Sequence, residues 1–193
     1  MPLHVSQPPA AALHAVLTAL GSPAAREAGT PALRSVPGPL SADAPLPVHV
    51  LATAPAGAAP STRLVGWRFL IRGGELSLAA ADVAPAADGW AFSHFCEGPY
   101  VASTERALRQ AEGSQAPWQA RLLSVPDLYM LTLWLHGNTE ADPSAGSPAP
   151  EDMLIPLAPA PPGIAAHRPH RVADLLPRLA VRLAPPPLLG STA

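Results

Sequence analysis

The chain has no lysine, one cysteine (Cys96), one asparagine (Asn138) and three isoleucines among its 193 residues. A single cysteine excludes an internal disulfide, and with it the small disulfide-stapled scaffolds, while leaving the redox compartment open. Charged residues amount to 13% and the net charge is −2. The basic stripe of a nucleic-acid-binding protein is therefore missing. Apolar runs stop after a few residues, too short for a membrane span. A phosphate-binding glycine loop, a Gly-x-Ser-x-Gly elbow and a His-Glu-x-x-His helix are all absent.

Proline is what the chain has in excess, with 27 residues. All twelve basic residues are arginine. This usage matches a GC-rich bacterial genome, whose codons favour Ala, Arg, Gly and Pro, so part of the excess is codon bias rather than function. The distribution is more informative than the totals. Prolines number 11 in residues 1–62, 4 in 63–135 and 12 in 136–193, whereas the four tryptophans, three phenylalanines and two tyrosines all fall in 63–135. Aromatics dominate core burial and proline removes backbone donors. The expectation is a core domain at 47–157, a Pro/Ala-rich N-terminal arm at 1–46 and a Pro-rich C-terminal arm at 158–193.

Within the core, Leu64–Arg72 and Glu75–Val83 flank Gly73-Gly74, a dipeptide suited to a two-residue primed turn. Pairing Arg72 with Glu75 sets Ile71 opposite Leu76, Phe69 opposite Leu78 and Trp67 opposite Ala80 on one apolar face. A third strand is expected at Trp90–Phe95. A helix follows over Val101–Glu112, capped near Ser103 or Thr104 and stopped at Gly113. Trp118–Val125 and Leu128–His136 read as strands, the second apolar on both faces, and Met153–Leu157 as a short edge strand. In the arms, Ala10–Leu20 reads as a short helix. A secretory leader is its rival, disfavoured by the lack of a basic residue ahead of it, so a cytoplasmic protein is expected. Arg171–Leu183 fits a helix kinked at Pro177 or, from Arg178, a strand. The fold class expected is α+β: a small antiparallel sheet of five to six strands with one packed helix, flanked by the two arms.

Candidate chemistry is sparse. Ser93-His94-Phe95-Cys96-Glu97 brings a thiol, an imidazole and a carboxylate together, the groups a cysteine nucleophile requires. A half-buried histidine and a small apolar cysteine at a strand end is the plainer reading. His167 and His170 have metal-ligand spacing, but Pro169 breaks the helix such pairs sit on and a second cysteine is lacking, so no metal and no cofactor are expected. The acidic pairs Glu140/Asp142 and Glu151/Asp152 read as solvated loop. Arg68 and Arg72 share a polar hairpin face able to meet an anion, or to lie solvated with Arg72 paired to Glu75.

The doubly apolar strand carries the functional expectation. One helix covers one face of a sheet, so the other face needs cover from the chain's own flanks, a second copy or another protein. The function expected is a non-enzymatic protein–protein interaction or assembly component. Its contacts would lie at Met130, Trp134, Arg68 and Arg72, its partner would be another protein or a second copy, and neither nucleic acid nor a membrane span is involved. The alternative is a small cysteine-dependent hydrolase or transferase using Cys96 with His94.

Overall fold

The computed structural model describes residues 3–23, 25, 30–52 and 61–183, and its architecture is α+β with a larger sheet than the sequence predicts. In chain order the elements are β1 (Leu3–Val5), α1 (Ala10–Gly21), α2 (Pro31–Ser35), β2 (Leu40–Leu51), β3 (Thr62–Gly73), β4 (Leu76–Ala86), β5 (Gly89–Cys96) and α3 (Pro99–Glu112). There follow β6 (Trp118–Val125), β7 (Met130–His136), β8 (Met153–Pro156), β9 (His170–Arg171) and α4 (Val172–Leu183). One nine-stranded sheet runs in the order β5-β4-β3-β2-β6-β7-β8-β9, with β1 beside β6. The meander β2–β5 is antiparallel. The crossover through α3 returns the chain so that β6 lies parallel to β2. Among the described residues no helix is long and apolar enough to cross a membrane.

Strand β2 accounts for most of the difference in size. Its Pro45 and Pro47 disguise it in the sequence, since proline cannot donate to a sheet ladder. The structure accommodates both. The register with β3 slips between Asp43 and Leu46, which places Pro45 in the irregularity, and pairing with β6 starts only at Val48. The remainder of that β6 edge is taken by β1, where Val5 faces Ala120.

The Gly73-Gly74 hairpin forms with a different register. Gly73 is still in strand, opposite Leu76, and the turn is Gly74-Glu75. Past an irregularity, Ile71 faces Ala79, Phe69 faces Ala81 and Trp67 faces Val83. The two glycines are not equivalent. Gly74 has a φ of +65°, the left-handed value a tight turn requires, whereas a Cβ on Gly73 would lie 2.6 Å from the Leu78 side chain and 2.9 Å from Val36. Leu76, expected on the apolar face, is exposed. Helix α3 likewise starts earlier than expected, at Pro99 after Gly98, with proline in the first turn where its missing N–H costs nothing. Thr104 instead bonds the Tyr100 carbonyl from inside the helix.

The sheet is covered on both faces by the chain itself. Helix α3 lies over one face, with Val101, Ala107 and Leu108 against Leu70, Leu122 and Leu133. On the other face, Ala12 and Val16 of α1 and Leu33 of α2 pack on Trp67, Phe69 and Ile71. Beside them, α4 packs on β6–β8. Arg171–Leu183 thus resolves as a helix from Val172, because Val172, Leu175, Leu176 and Leu179 fall on one buried stripe while Pro177 faces solvent. Burial of each such side chain contributes roughly 1.5–3 kcal/mol. The described parts of both expected arms are therefore layers of the fold rather than extensions from it. Residues 1–2 and 184–193, the outer ends of those arms, lie outside the described residues.

Candidate functional site

The residues expected to meet a partner are engaged within the chain. Met130 and Trp134 are 2% and 0% exposed beneath α4. The apolar face that needed cover receives it from α4, whose Leu175, Leu176 and Leu179 join Met130 and Trp134 in one buried cluster. Arg68 donates Nε and a terminal nitrogen to the two carboxylate oxygens of Asp82, each at 2.7 Å. Burial alone would lower the Arg68 pKa, but the Asp82 partner outweighs it and the net shift is upward. Arg72 donates to the Glu75 carbonyl at 2.7 Å and to Asp43 at 3.2 Å. It is held on the polar hairpin face, with the Glu75 backbone rather than its carboxylate as acceptor.

A buried polar network lies where the sequence shows only loop. Asp152, read as solvated, is 1% exposed and accepts from Trp134 Nε1 at 2.7 Å, His136 Nδ1 at 2.8 Å, Gly137 N at 3.0 Å and Ala149 N at 2.9 Å. Arg121, fully buried, donates to Gln119 Oε1 and to the carbonyls of Ala145 and Asp142, with its guanidinium 4.8 Å from the Trp134 ring centroid. His49 Nε2 bonds the Pro143 carbonyl at 2.9 Å. Burial pushes the His49 pKa down, partly countered by that carbonyl. These bonds satisfy loop carbonyls that have no strand partner, so the network fastens residues 137–152 to the sheet. Nothing in the sequence joins His49, Arg121 and Asp152, which come from separate strands and a loop.

The outer edge of β5 is accessible along much of its length, with Gly89, Ala91, Ser93 and His94 exposed. Among the described residues no strand pairs with it. A groove of about 610 Å³ runs between α1 and this strand, lined among others by Ala15, Ala19, Phe92, Phe95, His94 and Glu97. The Phe92 and Phe95 rings stand 4.7 Å apart, and Glu97 accepts the Ala32 N–H at 2.6 Å, tying α2 to the end of the strand. A register irregularity between Asp82 and Val83, which leaves Ser93 without a partner on β4, interrupts the alternation of β5, so Phe92 and Phe95 both pack toward α1 and α2 while His94 and Cys96 turn to the other face.

On that other face His94 lies opposite Asp82 and Cys96 opposite Ala80. The ligand atoms of Asp82, His94 and Cys96 all fall within 4.8 Å of one another, with His94 Nε2 3.7 Å from Asp82 Oδ2 and His94 Nδ1 2.9 Å from Ser93 Oγ. Sequence proximity pointed to His94 and Cys96 but not to Asp82, which joins them only through the β4–β5 register. His167 and His170 stand outside this group. His167 Nε2 bonds Ser103 Oγ at 3.1 Å, and His170 pairs with Leu154 in the sheet. Burial pushes the Cys96 thiol pKa up, with Arg68 opposing and Asp82 reinforcing the rise. A nucleophilic cysteine needs the reverse shift.

The chain matches no family model, and neither a curated protein nor a solved structure shows significant similarity to it.

Proposed function

We propose that the protein is a non-enzymatic interaction component that takes up an extended segment of another protein as an added strand along β5. The observation that supports this most is the eight-residue outer edge of β5, unpaired among the described residues, beside an apolar groove. An exposed edge offers a row of backbone donors and acceptors, and strand addition uses them for affinity while flanking pockets select side chains. Because a strand presents alternate residues to one face, the segment that fits has a bulky apolar side chain at every second position, placed against Phe92 and Phe95. Low net charge on the chain suits an uncharged segment rather than an acidic or basic one.

Displayed random peptides selected on the intact protein test this reading. Selected sequences should alternate apolar and polar residues, should slow hydrogen exchange at the outward amides of 89–96, and should bind more weakly to Phe92→Ala. Peptides that leave β5 exchange unchanged would overturn it. So would protection of β5 that rises with protein concentration alone, which would make a second copy the occupant.

A second reading, the cysteine-dependent hydrolase or transferase, draws on the proximity of Cys96, His94 and Asp82. It requires rapid alkylation of Cys96 at neutral pH. The raised thiol pKa favours slow alkylation and the interaction reading.

A further inference from the structure

We propose that Asp82, His94 and Cys96 form a divalent-metal site suited to Zn2+, with one coordination position left open. The inference does not rest on strand addition at β5, since it draws on the side chains of Asp82, His94 and Cys96 rather than on the outer backbone edge of that strand.

The first support is geometric. Three donors of three types converge from two adjacent strands, all within 4.8 Å. In tetrahedral zinc sites, bonds of about 2.0–2.3 Å place neighbouring ligand atoms roughly 3.3–3.8 Å apart. The Asp82 Oδ2 to His94 Nε2 separation of 3.7 Å is already in that range. Cys96 reaches the same spacing by a movement of about 1 Å, within the swing of a side chain about its Cα–Cβ bond.

The second support is how the donors are held. Metal-bound histidines have their other ring nitrogen engaged by an outer partner. Here Ser93 engages Nδ1, leaving Nε2 on the side of Asp82 and Cys96. Arg68 grips Asp82 through both carboxylate oxygens and fixes its orientation. Its positive charge is tolerable, because Zn2+ with one thiolate and one carboxylate sums to zero. The second lone pair on Oδ2 stays available to coordinate.

The third support is access. The His94 side chain is 58% exposed. A cavity of about 130 Å³ at the start of α3, lined by Cys96, Arg68, Tyr100 and Thr104 among others, adjoins the thiol. Three protein ligands beside such a space are what an open, water-holding zinc position requires. On binding, the Cys96 S–H bond breaks, its proton passes to solvent and a metal–sulfur bond forms. No electron is transferred.

Co2+ titration of the reduced full-length chain, followed by Zn2+ competition, provides the test. Because the chain has one cysteine, a thiolate-to-cobalt charge-transfer band reports Cys96 alone. The expected result is that band at one metal per chain, abolished by Zn2+ and by Cys96→Ser. His94→Ala and Asp82→Asn should each weaken affinity by about tenfold or more, while His170→Ala leaves it unchanged. Should Asp82→Asn unfold by stranding Arg68, the exposed His94 keeps the test intact. No band at saturating Co2+, a band indifferent to His94→Ala, or one metal per two chains through paired Cys96 thiols would each overturn the proposal.

Discussion

Trp134 donates its indole N–H to Asp152 at 2.7 Å, and both side chains are essentially out of contact with water. The carboxylate has three further donors around it, so the pair is the hub of the packing beneath α4 and the fastening of the 137–152 loop. Trp134→Ala should cost about 3–5 kcal/mol through the cavity it leaves. Asp152→Ala should cost roughly 3 kcal/mol by stranding buried donors. Urea denaturation checks both. Binding of β5-selected peptides by the folded fraction should be unchanged, and an affinity loss at Trp134 would return that face to the interaction surface.

Arg121 makes its hydrogen bonds to Gln119 and to two loop carbonyls, with no carboxylate among them. Replacing it with methionine keeps the stem packed on Trp134 but strips the Ala145 carbonyl of its Arg121 donor and leaves the Asp142 carbonyl with the Ala145 N–H alone. Hydrogen exchange should quicken across 137–152 and global stability should fall by about 2 kcal/mol. Exchange confined to its wild-type rate in that loop would show that the clasp is dispensable.

Protonation works against the fold at His49. Burial lowers its pKa from the ordinary 6.5, so the folded state binds the proton less readily than the unfolded chain. Stability is then complete above about pH 6.5 and is lost as the pH falls from there toward the folded-state value. His167 and His170 are shifted the same way, burial being the leading cause in each. The melting temperature should drop on acidification from about pH 7 to pH 5, with a shallower slope in His49→Gln.

Two glycines should respond in opposite ways to alanine. A Cβ on Gly66 would run into the Val83 carbonyl oxygen, a backbone atom that cannot swing aside, whereas a Cβ on Gly21 would meet nothing within 4 Å among the described residues. Gly66→Ala should destabilise by about 1–3 kcal/mol. Gly21→Ala, at the end of α1, should be neutral or stabilising by a few tenths of a kcal/mol. Thermal melts of the two variants, compared side by side, decide this.

A fragment of residues 47–157 should fail to fold cooperatively. It retains most of the sheet but lacks α1 and α4, which bury Trp67, Phe69, Met130 and Trp134. Broad melting with dye binding to exposed apolar surface is expected. A sharp melt would show that the central segment is an independent core.

Wherever a pattern is local, the amino-acid order alone determined the element. The spans of β6 and α1 each need only their own residues and the chain's stereochemistry, whereas the period-two run expected for β5 is broken at Ser93 by its pairing with β4. The concentration of aromatics likewise marked β3–β7 as sheet, but not β2, which has no tryptophan, phenylalanine or tyrosine and lies between β3 and β6. Partnership is not local, and the tertiary structure decided it. Pro45 and Pro47 lie in a central strand because β6 pairs with β2 only beyond them. The hairpin slipped from its expected register because Gly73 is needed for the close approach of Leu78 and Val36, leaving Gly74 to turn. The 172–183 segment became a helix because Trp134 and its neighbours offered a face for four apolar side chains at helical spacing. Asp82 met His94 and Cys96 only through the β4–β5 register. In each case two segments competed for the same buried surface or hydrogen bonds, and that competition is settled by packing in three dimensions.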